Sequence, residues 1–279
     1  MKQLFTKIFI HDGLKRDERK MVEIRRIKAR RSFIPTSIPG ASYVINQYVG
    51  CQHACKYCYA RFVGRWYGYD EWGNWIIVRE NMAEIVKGKY VEGKVYMSSV
   101  SDAYQPIEKR LELTRNVLQN MDKSIKLVIL TKSDLVLRDI DIFKEFKDIE
   151  VGLTVSGFEG NVKRSIEPFS PSNEKRIKTL KAIHQNGIKS YAFISPIIPH
   201  LTDVEKLIDE TKDFTDFYWF EFLNLKASGS EFKRWLKQAY PESYEIISDK
   251  SKFEAYINEI TEIIKNAKIE FRGIVTHYK

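Results

Sequence analysis

From residue 43 onward the chain alternates between two patterns. Short apolar, β-branched runs lie at 43–50, 94–99, 125–131, 149–156, 189–198 and 216–223. Charged stretches with apolar residues at helical spacing lie at roughly 79–88, 108–121, 135–147, 173–187 and 203–213. A run apolar at consecutive positions is a strand covered on both faces, as in a parallel sheet. The stretch at 173–187 starts on Ser or Asn with Glu174 in its first turn, and Gly187 stands where a left-handed cap belongs. Strands alternating with helices predict βα units and an α/β fold, which an open sheet and a partial barrel both satisfy. In either, functional residues belong at the C-terminal ends of the strands. Residues 1–40 read as a basic N-terminal extension, and 226–279 as a helical C-terminal extension with room for one last strand.

Composition narrows the class. With 43% hydrophobic residues the chain can bury a sizeable core. No apolar run is long enough to cross a bilayer, and the N-terminus lacks a signal-peptide core, so no membrane role is expected. The formal net charge is +9, which favours phosphate-bearing partners. Nine Lys or Arg fall within residues 15–31. That run reads equally as a solvated basic face or as an arm on a nucleic-acid backbone.

The 279 residues contain three cysteines, and all of them fall in "GCQHACKYCYAR" (50–61), as Cys51, Cys55 and Cys58. One thiol would always be left over, so this is no disulfide framework, and a reducing cytoplasmic compartment is expected. The loop follows the first predicted strand. Three thiolates could bind zinc with His53 or a distant histidine as fourth ligand. They could instead hold a [4Fe–4S] cluster by three irons, leaving the fourth open.

C-x3-C-x2-C with Tyr57 before the last cysteine resembles the signature of the radical S-adenosylmethionine superfamily. "YVINQYVGCQHACKYCYAR", "SSVSDAYQPIE", "LTKSDLVLRDID", "RSIEPFSPSNEKRI" and "SPIIPHLTD" are similar to its spore photoproduct lyase-related, DNA repair photolyase-like members. The resemblance implies a partial (β/α)6 TIM-like barrel over 41–225 and a [4Fe–4S] cluster on Cys51, Cys55 and Cys58. It also implies S-adenosyl-L-methionine as cofactor, and a reductant such as flavodoxin or ferredoxin. It further implies reductive cleavage of the cofactor to a 5′-deoxyadenosyl radical, which abstracts hydrogen from a substrate. The best-known spore photoproduct lyases are thought to use a cysteine outside the cluster as hydrogen donor; this chain has none.

Site residues follow from strand ends and from the resemblance together. Ser98, Ser99, Ser101 and Asp102 offer oxygens to the methionyl ammonium, although Ser and Asp also favour plain turns. Thr154 and Ser156 share one strand face and suit ribose hydroxyls. By the resemblance, Arg176 is expected to pair with the cofactor carboxylate, ahead of Arg164. Glu167 either fixes that arginine or faces substrate. Tyr57 and Tyr59 bear on adenine, with "PIIP" (196–199) as an apolar wall. Lys132 and Glu221 are the catalytic candidates, beside Asn224 for substrate contact. The aromatic stretch at 61–75 suits a lid or a hydrophobic plug, and less readily a platform for unpaired bases. The resulting reading is a radical enzyme whose substrate is unidentified, with nucleic acid or a nucleotide-containing molecule ahead of a peptide. Its rivals are a zinc-stabilised nucleic-acid-binding protein and a peptide-modifying radical enzyme.

Overall fold

The computed structural model describes the backbone of Phe5–Phe9 and residues 21–277; the basic residues at 15–20 lie outside the described part. The chain divides into two compact units, Met1–Ala54 with Ala60–Glu150, and Cys55–Tyr59 with Val151–Lys279.

The first unit holds β1 (Phe5–Phe9), β2 (Met21–Ile27), β3 (Ile34–Pro35), β4 (Tyr43–Ile45), β5 (Tyr48–Val49), β6 (Trp75–Arg79), β7 (Lys94–Met97) and β8 (Lys126–Thr131). One sheet runs β1-β2-β6-β5, with β2 parallel to β6 and the outer pairs antiparallel. Elsewhere β4, β7 and β8 lie side by side and parallel, with β3 antiparallel to β4. The helices of this unit are α1 (Gly64–Tyr67), α2 (Met82–Val86), α3 (Glu108–Leu111), α4 (Leu113–Asn120) and α5 (Ile140–Phe143).

The single strand expected at 43–50 is two strands in two sheets, β4 and β5. Asn46 and Gln47 lie between them, and both are buried. A buried amide must be hydrogen-bonded. Asn46 Oδ1 accepts from the Ser99 N–H at 2.8 Å, and Gln47 Nε2 donates to Thr114 Oγ1 at 2.8 Å. These partners lie off the strand ladder, so the chain changes sheets there. Part of the expected N-terminal extension is core, since Val22 and Ile24 of β2 are buried. The helix expected at 108–121 breaks at Glu112, whose φ is +48°. The cause is Glu108, whose carboxylate accepts from the N–H groups of Thr114 (2.9 Å) and Arg115 (3.3 Å). It thereby satisfies the orphan donors of a new helix, α4.

The second unit holds β9 (Ile149–Val155), which starts at the end of the first, then β10 (Lys189–Ile197), β11 (Phe217–Phe222) and β12 (Phe271–Val275). Their order is β9-β10-β11-β12, with β10, β11 and β12 parallel. Every residue of β9 is buried, as the continuous apolar run requires. The helices are α6 (Gly160–Ile166), α7 (Asn173–Gln185), α8 (Val204–Thr211), α9 (Gly229–Ala239), α10 (Pro241–Ser248) and α11 (Lys250–Asn266). Ser172 caps α7 by accepting from the Lys175 N–H at 3.3 Å. The expected last strand is β12. It pairs with β11, and three helices, α9 to α11, stand between them in the chain.

Glu108 is fully buried and joins this framework at several points. Tyr48 Oη donates to its Oε2 at 2.5 Å, and Arg138 Nη2 donates to its Oε1 at 2.6 Å. Glu108→Ala leaves a guanidinium and a buried hydroxyl unpaired, so urea unfolding should show a loss of about 3–5 kcal/mol. Glu108→Gln should lose less, because it keeps an acceptor for Tyr48. Equal stability of Glu108→Ala and the parent would contradict this account.

Candidate cofactor site

In the first unit the chain turns from β5 into Gly50 and Cys51. Gly50 has φ +85°, and an added Cβ would stand 2.6 Å from the Trp75 carbonyl oxygen. Glycine is therefore required on steric as well as conformational grounds. Cys51 is buried, and its flanks are clamped by Gln105, a fully buried residue of the loop after β7. Gln105 Oε1 accepts from the Gln52 N–H at 2.9 Å, and its Nε2 donates to the Gly50 carbonyl at 3.2 Å. Gln52 Oε1 accepts in turn from the Ile107 N–H at 2.6 Å. Buried glutamines carry no periodic signal, and sequence reasoning missed both.

Asp102 lies in the same post-β7 loop and is turned inward. Its Oδ1 accepts from Thr131 Oγ1 (2.6 Å) and the Tyr104 N–H (2.8 Å). Its Oδ2 accepts from the Lys132 N–H (2.9 Å) and stands 3.4 Å from His53 Nδ1. Burial alone would raise the pKa of this carboxyl. The charge and hydrogen bond of His53, with the Thr131 and Lys132 donors, outweigh it and lower the pKa to about 2. Thus His53, the residue considered for zinc, is held by a carboxylate. Ser98 has φ +69° and places its Oγ 3.4 Å from Gln47 Oε1. Ser99 Oγ is 3.1 Å from Asn46 Nδ2, and Ser101 Oγ donates to the Tyr48 carbonyl at 3.1 Å. All three serines are half-buried.

The second unit holds the rest of the cysteine loop. The Cys58 N–H bonds the Cys55 carbonyl at 3.1 Å, and the Lys56 N–H bonds the Ile166 carbonyl at 2.9 Å. Tyr57 sits edge-on to Phe158 and Phe232 and donates its hydroxyl to Glu167 Oε1. Glu167 Oε2 accepts from Arg176 Nη2 and from Ser170 Oγ. Arg176 is 1% exposed, and each of its five N–H donors has an acceptor. Nε serves the Pro171 carbonyl at 3.0 Å. Nη1 serves the Thr154 carbonyl (3.3 Å) and Ser156 Oγ (3.5 Å), and Nη2 serves Glu167 and Ser170 Oγ (2.7 Å). No donor remains for a ligand carboxylate in this arrangement: Glu167 fixes the arginine, and the arginine braces the end of β9. Burial, then the charges of Glu167 and Cys55, push the Tyr57 hydroxyl well above its ordinary pKa, so it stays a donor. Burial opposes the Arg176 charge, and Glu167 more than restores it.

Thr154 and Ser156 are both buried at the end of β9, and the Ser156 N–H donates to Asn173 Oδ1 at 3.2 Å. Glu221 accepts from Ser195 Oγ at 2.7 Å and pairs with His277 Nε2 at 2.9 Å. Lys132 is half-buried, with its N–H on Asp102. The aromatic stretch divides: Trp72 and Trp75 are buried as a plug would be, whereas Trp66 is 72% and Phe62 44% exposed.

Among the described residues, no group of three or more His, Cys, Asp or Glu side chains is gathered closely enough for one metal ion. The donor set fits a [4Fe–4S] cluster in one respect. Gln52 Nε2, beside Cys51, is buried without a partner among the described residues, and N–H donors of this kind tune cluster sulfurs.

Comparison with known proteins agrees with this chemistry. The Radical SAM superfamily model matches residues 45–211. An uncharacterised protein of Methanocaldococcus jannaschii is 64% identical over 92% of this chain and 98% of its own length. One from Mycobacterium tuberculosis is 26% identical over 72% of this chain and 64% of its own length. Spore photoproduct lyase complexed with dinucleoside spore photoproduct superposes with a TM-score of 0.63 at 16% identity, covering 90% of this chain and 82% of that one. The likeness shows the fold expected from the sequence, an α/β partial TIM-like barrel whose sheet is not closed.

Two outcomes follow from the site's electrostatics. The Asp102 pKa lies below its unfolded value near 3.8, so its stabilisation is complete above about pH 4 and is lost as pH falls toward 2. Asp102→Asn should cost about 2 kcal/mol at pH 7 and flatten the acid limb of the stability profile. An unchanged acid limb would refute the depressed pKa. In the metal-free protein, Glu167→Ala should destabilise by about 3–5 kcal/mol by orphaning Arg176. Tyr57→Phe should cost about 1 kcal/mol. If the two losses were equal, measured by urea titration, the arginine would not depend on Glu167.

Proposed function

We propose, from the premise that this chain belongs to the radical S-adenosylmethionine superfamily, that it is an enzyme acting on nucleic acid by hydrogen-atom abstraction. The observation that carries the reading is the single loop bearing Cys51, Cys55 and Cys58 in a chain with no other cysteine, inside the matched segment. Three thiolates would hold three irons of a [4Fe–4S] cluster, and the absence of a fourth thiol leaves one iron for a cofactor. When bound, the cluster and S-adenosylmethionine together supply a 5′-deoxyadenosyl radical.

The chain's own residues have separate tasks. Gln105 clamps the backbone on both sides of Cys51. Tyr57, Glu167 and Arg176 hold the Cys55–Cys58 turn. The hydroxyls of Ser98, Ser99 and Ser101 stand at the end of β7, where the cofactor's amino group would be met. Thr154 and Ser156 stand at the end of β9, where ribose hydroxyls would be met. Lys132 and Glu221, at the ends of β8 and β11, would face substrate. A flavodoxin or ferredoxin would deliver the electron, and a reducing cytoplasm would keep the thiols available.

Nucleic acid as substrate class is supported by the +9 charge and by the dinucleoside photoproduct bound to the structurally similar lyase. The reaction differs from a cysteine-terminated repair, because no thiol remains outside the loop to return a hydrogen atom. Anaerobically reconstituted protein should hold about four iron and four sulfide per chain, and any one Cys→Ala change should abolish this. With dithionite and S-adenosylmethionine it should form 5′-deoxyadenosine. Protein that retains zinc and never accepts iron would overturn the assignment. Rapid multiple-turnover repair of spore photoproduct would overturn the distinction from the lyase.

A further inference from the structure

The basic run ends in a built feature. Past the end of β2, the Asn81 side chain bonds both the N–H and the carbonyl of Ala29, at 2.7 and 3.0 Å. This holds the chain in place where Arg26, Lys28, Arg30 and Arg31 all stand exposed. None of the four makes an ion pair among the described residues.

Arg30 and Arg31 open into a cleft of ≈ 440 Å³. Lys89 and the rings of Phe33, Tyr43 and Tyr90 also line it, and among the described residues no acidic one does. Tyr90 is 59% exposed in the turn Lys87–Gly88–Lys89–Tyr90 that follows α2. Its ring offers an accessible face on which an unpaired base can stack. Three cations with no ion pair among the described residues, around exposed tyrosine, match a phosphodiester with an accessible base face. A duplex hides its base faces, and a single strand presents them.

The cleft is also separate from the chemistry. Tyr43 opens β4, and residues 88–91 precede β7, so the cleft lies at the N-terminal ends of these strands. Ser98 to Asp102 follow the opposite end of β7, a strand of four residues that spans about 13 Å.

We propose that this cleft is an anchoring site for single-stranded nucleic acid, with phosphates on Arg30, Arg31 and Lys89 and a base against Tyr90. The inference rests on the nucleic-acid reading above and deepens it, by stating which form of nucleic acid is bound and where.

The test is fluorescence anisotropy of the reconstituted full-length protein with a labelled oligothymidylate of about 15 nucleotides. Neutralising the three cations (R30Q/R31Q/K89Q) should weaken binding by about tenfold or more. It should also make the dependence of log K on log salt shallower by about 2, at about 0.7 per phosphate contact. Tyr90→Ala should weaken binding about fivefold or more, and Tyr90→Phe should not. A duplex of the same length should bind more weakly than the single strand. Formation of 5′-deoxyadenosine without oligonucleotide should be unchanged in all these variants, which shows that the holoenzyme is intact. Undiminished affinity and salt slope in the triple variant, or equal binding of duplex, would overturn the inference. The two readings fail differently. An oligonucleotide held through the cleft but never altered during cofactor cleavage defeats the substrate assignment alone. One altered equally well by the triple variant defeats the anchoring site alone.

Discussion

The carboxylate of Glu167 is the interaction on which the second unit's site depends. It is fully buried, and an anion there is tolerated only while every lone pair has a donor. Those donors are Tyr57, which sits between two cysteines, Arg176, which reaches the end of β9, and Ser170. Arg176 and Ser170 are buried as well and Tyr57 is half-buried, so none can leave without stranding the others. The cysteine loop forms no regular strand or helix from Cys51 to Cys58. Here its position comes from side chains that belong to later parts of the chain.

The first unit meets the same problem with different groups. Its share of the cysteine loop is held by neutral amides, Gln52 and Gln105, while the charged Asp102 fastens His53 and the start of the post-β8 loop. Neutral clamps close to Cys51 add no formal charge beside its sulfur. The Asp102 carboxylate has its charge spent on four donors. Both units place their polar side chains at strand ends, where backbone groups that leave the ladder need partners.

Six strands and the family were legible because parallel strands read as continuous apolar runs and because three thiols at fixed spacing admit few chemistries. The interruption at Asn46 was not legible, since its two amides sit within an otherwise strand-like run. β6 was missed because Trp75 to Arg79 follow directly on the aromatic stretch, which reads as a loop. Arg176 was recognised as important, but its bonds to Ser170 and to the Pro171 and Thr154 carbonyls were not foreseen. A sequence shows a cation but not whether its five donors are already engaged. Asp102 shows the same limit, since an Asp in a Ser-rich turn gives no sign of which way it faces.

The break at Asn46 and Gln47 also restricts how this chain can change length. Tyr43–Ile45 is in register with β7, and Tyr48–Val49 is in register with β6, so two residues join two independently aligned sheets. Side chains alternate with period two, and one added or deleted residue would exchange inward and outward faces on one side of the link. It would at the same time rotate Gly50 away from Trp75. Insertions and deletions are therefore excluded along this stretch. Among related chains, the interval from the first barrel strand to the first cysteine should behave as a ruler of constant length.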